Sequence, residues 1–204
     1  MTRALGLGLC VVLGLAACQG PAPEPERAPS ATAVVVSALP THVVAFQTLR
    51  AQLSSTPEGG AAALVVALTL YAENQELGLS CLTIAVDPGR LQDGTAWEGK
   101  EPQDAAQSSL AARLASRPHV PRSCFVSATP DNGYALGEPP YTVEVTEVRT
   151  TGDTAEVFVR CSGAHAPRPV TLKRNAHGTW AAYEWSALEV GVRPPSPKPQ
   201  DDDL

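Results

Sequence analysis

Ala61-Ala62-Ala63-Leu64-Val65-Val66-Ala67-Leu68-Thr69-Leu70-Tyr71 is apolar or small on every side of a helical wheel. It is shorter than the roughly 20 residues that a membrane span needs, so protein rather than lipid must cover it. A helix that is apolar all round is a buried one. The stretch therefore predicts the central helix of a small domain, and the rest of the chain is expected to wrap it.

Upstream, Thr41 follows Pro40 in the place of an N-cap, and Phe46, Leu49 and Leu53 form one helical stripe. Ser54-Ser55-Thr56-Pro57 stops that helix, and Glu58-Gly59-Gly60 opens the apolar one. Downstream, Asn74 ends it and can cap a third, in which Leu77, Cys81, Ile84 and Ala85 share a face. Asp87-Pro88-Gly89 breaks the third helix, and residues 87–102 read as a loop rich in turn residues, with Trp97 packing back. Asp104 can cap a fourth helix carrying Leu110 and Leu114, with Pro118 past its end.

Beyond Pro118 the period changes from helical to two. Tyr141, Val143 and Val145 alternate with Thr142, Glu144 and Thr146, and Ala155, Val157, Val159 and Cys161 with Glu156, Phe158 and Arg160. Val170 and Leu172 repeat the pattern, Asn175–Gly178 is a hairpin connection, and Leu188, Val190 and Val192 are placed in a last strand. This predicts an antiparallel meander with one wet face. Helices first and strands second define an α+β domain over residues 41–195, with the helices packed on the C-terminal sheet.

The ends of the chain read differently. Arg3 and the apolar residues that follow it form a charged n-region and an h-region, closing in Leu15-Ala16-Ala17-Cys18. This resembles the lipobox of bacterial lipoproteins. The resemblance implies cleavage between Ala17 and Cys18, removal of residues 1–17 as a signal peptide, and lipidation of Cys18 with diacylglycerol and an N-acyl chain (palmitate). More than one acyl chain makes a stable anchor in the bilayer. Gln19 stands where an aspartate would imply inner-membrane retention, so the expected location is the outer membrane of the cell envelope. Residues 18–40, with Pro21, Pro23, Pro25, Pro29 and Pro40, read as a disordered Pro-rich tether; Val34-Val35-Val36 is its one apolar patch, open to reading as an edge strand or docking point, with a bland apolar stretch the plainer reading. Residues 196–204 end in Asp201-Asp202-Asp203 and read as a disordered acidic tail. The formal net charge of −6 argues against nucleic acid as a partner, because an acidic chain repels phosphates.

Past the leader and Cys18, three cysteines remain: Cys81, Cys124 and Cys161. An oxidising envelope allows one disulfide and leaves one thiol. All three pairings are open, a bridge involving Cys124 is favoured, and Cys81 and Cys161 both face inward by periodicity. Cys161 and His165 have the spacing of two metal ligands but lack the further pair, so no metal site and no cofactor are expected. None of the four histidines lies in a hydrolase motif, and no catalytic residue is assigned. Ser162–Pro169 carries His165 and Arg168, which with Arg174 define a possible cationic ligand patch for an anionic glycan; the plainer reading is a shaped turn with solvated arginines.

Pro121-Arg122-Ser123-Cys124-Phe125, Ala128–Tyr134, Ser162–Pro169, Trp180–Pro195, Asp93-Gly94-Thr95 and Tyr71–Asn74 together resemble an uncharacterised bacterial domain of unknown function, family 6935, over about residues 60–195. The resemblance implies no activity, cofactor or catalytic residue. The functional expectation is a non-enzymatic binding or interaction module, anchored to the bilayer through Cys18, with an envelope protein or anionic glycan as partner. Its rivals are an envelope hydrolase using Cys124 or a histidine, and a structural lipoprotein.

Overall fold

The computed structural model describes residues 31–103, 110, 112–114 and 116–197. The leader, Ala17, Cys18, the first part of the tether, Asp104 and the acidic tail from residue 198 lie outside the described residues. The chain is α+β. Strand β1 (Thr32–Val36) is followed by helices α1 (Val43–Leu53), α2 (Pro57–Glu73) and α3 (Gln75–Ala85), then by a small hairpin of β2 (Leu91–Trp97) and β3 (Lys100–Pro102). After a short helix α4 (His119–Arg122) come β4 (Tyr141–Thr151), β5 (Thr154–Val159), β6 (Arg168–Arg174) and β7 (Trp180–Glu184).

Helix α2 is the centre of the molecule. Thr56 caps it by accepting the Gly59 N–H at 3.1 Å, and Pro57 occupies the first turn, where its missing donor costs nothing. Every residue from Gly59 to Tyr71 is buried. The helix contacts all five strands of one sheet, ordered β1-β4-β5-β6-β7 and antiparallel throughout. Val143, Val145, Ala155, Val157, Val159, Val170 and Leu172 face the helix and are almost completely buried. Full burial of each large side chain in this layer stabilises the fold by about 1.5–3 kcal/mol. The opposite face carries Glu147, Arg149, Glu156 and Arg160, and Arg149 pairs with Glu147 at 2.6 Å and with Glu156 at 3.4 Å. These exposed pairs add about 0–1 kcal/mol each, so the helix-packed side holds the sheet.

Several local expectations are corrected. Helix α1 is capped by His42 rather than Thr41, its Nδ1 accepting the Ala45 N–H at 3.2 Å. Helix α2 begins at Pro57, ahead of the glycines. Asn74 does end one helix and cap the next: its N–H donates to Leu70 O and its side chain accepts the Leu77 N–H. Residues 87–102 are no bare loop but a 3-10 turn and the β2–β3 hairpin, whose connection Glu98-Gly99 has both residues in the left-handed region (φ 48° and 75°) that two-residue hairpins favour. Residues 186–189 form a 3-10 turn instead of a last strand, and they bury Glu189 against Arg113, whose Nε donates at 2.7 Å. Burial pushes the Glu189 carboxyl above its usual range, with Arg113 pulling the other way. Val34-Val35-Val36, placed in the tether, belongs to β1, so the sheet starts ahead of the boundary expected at residue 40.

Candidate functional site

One strand lane of the sheet is shared by two distant segments. Beside the first half of β4, β5 reaches Val159 opposite Val145, and the Arg160 N–H donates to Glu144 O at 2.9 Å. The chain then leaves the sheet. Phe125 and Val126 take over the same lane: Phe125 bridges Val143, and the Val126 N–H donates to Thr142 O at 2.9 Å. A Cys124–Cys161 disulfide and a 2.7 Å bond from the Ser162 N–H to Ser123 O join the two segments. Where they meet, Ser123, Phe125, Val126, Glu144, Arg160 and Ser162 line a cavity of about 150 Å³.

A second layer of contacts latches the C-terminal segment onto this corner. Asn132 Oδ1 accepts the Thr129 N–H at 2.9 Å, and its Nδ2 donates to Ser127 O, which shapes the turn before Tyr134. Tyr134 is fully buried at φ 60°, a conformation few non-glycine residues adopt. Its hydroxyl donates to Arg193 O at 2.7 Å, and the Arg193 N–H donates to Gly163 O. Gly163 sits at φ 75°, and a Cβ there would collide with the Tyr134 hydroxyl. His119 stacks on the Tyr134 ring at 5.0 Å; burial lowers its pKa, and nearby Arg117 adds to the effect. Ala164 bridges Val192, and the Ser196 hydroxyl donates to Asp131 at 2.8 Å. Four of the stretches quoted for the family resemblance thus converge in one corner: 121–125, 128–134, 162–169 and the end of 180–195.

The structure sorts the candidate residues. Cys124 and Cys161 are bonded to each other, while Cys81 is a buried thiol in α3 with its pKa pushed up to about 12 by burial. A thiol held protonated in this way is a poor nucleophile. The Cys161–His165 pair offers no metal ligands, since the sulfur is taken, and among the described residues no group of three His, Cys, Asp or Glu side chains converges. The cationic patch does not assemble. Arg168 and Arg174 stand at opposite ends of β6; the first donates through Nη2 to Gly191 O at 2.7 Å, the second through Nε and Nη2 to Asp153 at 3.0 and 2.8 Å. Arg174 also lies over the Trp180 ring, and His165 is exposed on the β5–β6 loop. Each arginine is thus held by backbone, carboxylate or ring, and the two make separate contacts at the two ends of β6. His119, Asn132, Tyr134 and Arg193 were not singled out by residue chemistry. The stretches that carry the family resemblance contain Asn132, Tyr134 and Arg193, but only the fold brings those stretches together.

Such chemistry makes the corner a rigid junction. Ser123 Oγ donates to Val120 O at 2.6 Å, Tyr134 Oη to Arg193 O, and both sulfurs are covalently spent. The fold and this junction define a class: an α+β domain whose helices cover one face of an antiparallel sheet, with its C-terminal segment latched across a shared strand lane. The sequence profile of a family described as a domain of unknown function (DUF6935) matches residues 38–196, and the chain belongs to that family. No curated protein and no solved structure matches the chain.

Proposed function

We propose that this chain is a lipoprotein of the bacterial cell envelope, held in the bilayer through acylated Cys18 and carrying its domain as a non-enzymatic binding or interaction module. The observation that carries the reading is the leader closing in Leu15-Ala16-Ala17-Cys18. Gln19 after the cysteine supports the outer membrane as its place. The family domain itself has no known activity. The non-enzymatic reading is supported by the junction, where the hydroxyls of Ser123 and Tyr134 and the sulfurs of Cys124 and Cys161 each have a structural partner. Thirteen residues lie between Cys18 and Thr32, and at ~3.1 Å each in an extended Pro-rich chain they would span roughly 40 Å. That is a shorter leash than one running to residue 40.

The test is Cys18→Ser in the full chain. It should abolish acyl labelling and move the protein out of the membrane fraction. A variant that stays in the membrane and still takes up label defeats the reading.

A further inference from the structure

The two sides of β1 differ. Its inner side pairs with β4 from Thr32 opposite Val145 to Val36 opposite Tyr141. On its outer side no described strand stands. An edge of this kind is a template for another strand, and proteins guard it with lysines, prolines, bulges or a covering element. Thr32-Ala33-Val34-Val35-Val36 has no charge and no proline, and its pairing with β4 runs without a bulge. The apolar surface also continues inward. Val35 and Val126 are each 55% exposed and lie on either side of Thr142, on the face turned away from the helices.

We propose that β1 is an interface between two copies of this chain, which join by antiparallel pairing of β1 with its own mate into one continuous sheet. Two features of the strand suit a second copy, and the cross-linking below separates it from a foreign strand. First, the strand is its own complement: with Val34 on the two-fold axis, Ala33 opposes Val35 and Thr32 opposes Val36, so the pairing brings no like charges together. Second, the side chains left open are the ones this pairing covers. Val34 is half-buried on the helix side, and its image would close it; exposed Ala33 and Val35 would form one apolar strip with their mates. A single strand pair buries little area, so the dimer is a weak one in dilute solution. Two leashes on one membrane would raise its effective concentration, but the inference stands on the strand and not on the anchor.

The experiment uses Val34→Cys in the full chain, oxidised mildly in intact expressing cells. The expected result is a cross-linked dimer, joined through position 34 of both copies by peptide mapping, at least tenfold above the level given by Ala176→Cys on the β6–β7 hairpin. Adding Val35→Lys should cut the yield at least fivefold, because position 35 and its image are diagonal neighbours across the seam and the two lysines repel on an otherwise uncharged edge. Equal cross-linking at positions 34 and 176, or cross-linking of position 34 to a different protein, overturns the proposal. Should Val34→Cys fail to fold, sedimentation of the unaltered chain against Val35→Lys at equal high concentration gives the answer: a heavier unaltered species supports the dimer, and equal masses overturn it. Both readouts work whether the chain is recovered from membranes or from the soluble fraction, so loss of the anchor and loss of the strand pair are separate results.

Discussion

The two edges of the sheet are finished in opposite ways. At β7 the backbone is covered: the Trp180 N–H donates to Ser54 O, the Asp87 N–H donates to Ala182 O, and Val86 bridges Ala182, all from the helical half of the chain. At β1 the described residues offer no such cover. The difference follows the sequence. The covering residues Ser54, Val86 and Asp87 lie within the stretch that matches the family, whereas β1 precedes it. The domain brings its own protection for one edge, and the other is closed by a strand from outside the matched region that is itself left open.

Predictions that break the structured side come first in size. The Cys124→Ser, Cys161→Ser double variant should lose about 4 kcal/mol of stability, the loop-closure value for a bridge with a sequence separation of 37. Denaturant unfolding of both forms measures it. Gly59→Ala attacks the covered edge, because a Cβ there would run into the Leu53 carbonyl beside the Ser54 that holds Trp180. It should cost about 3 kcal/mol, the upper range for overpacking, and raise amide exchange at Trp180 before exchange in β4.

The remaining two predictions sharpen the contrast. His119 is held neutral by burial, so the unfolded chain binds its proton more readily than the folded one. Its contribution to stability is present above the ordinary value of 6.5 and is lost as pH falls through the lowered folded pKa. His119→Phe keeps a ring on Tyr134 and should flatten the difference in melting midpoint between pH 7.5 and pH 5 relative to the parent. Strand pairing at position 34 should not change in that variant. Val35→Lys should shift the stability of the single chain by no more than about 0.5 kcal/mol, as an exposed substitution does. A large loss there would mean that the open edge is held from within.

Periodicity revealed the architecture because burial left it written in side-chain type. The Ala61–Tyr71 run could only be a covered helix, and Val143, Val157 and Leu172 each marked the inner face of a strand. What stayed illegible rests on backbone and long-range contacts. The β2–β3 hairpin turns at Glu98-Gly99, where Gly99 is a turn signal but glutamate is not, and the turn-rich composition of residues 87–102 hides the short strands on either side. Val34-Val35-Val36 leaves an edge strand and a bland patch both open, because its partner β4 comes only after α1, α2 and α3. Arg168 and Arg174 looked like a patch because sequence shows charge but not the Gly191 carbonyl or the Asp153 carboxylate that holds it. The Cys124–Cys161 pairing was one of three open connectivities, and no spacing rule separates them.

The shared strand lane has a consequence for the order of events as the chain is made. β1 emerges first, but β4, the strand it pairs with, follows only after α1, α2 and α3. The lane beside β4 then needs both the Phe125 segment before it and β5 after it. β1 cannot pair until the chain is free to fold through β4, more than a hundred residues further on. During that interval an uncharged, valine-rich strand waits without a partner, so the window between synthesis and closure is the time at which this protein is most exposed to pairing with the wrong neighbour.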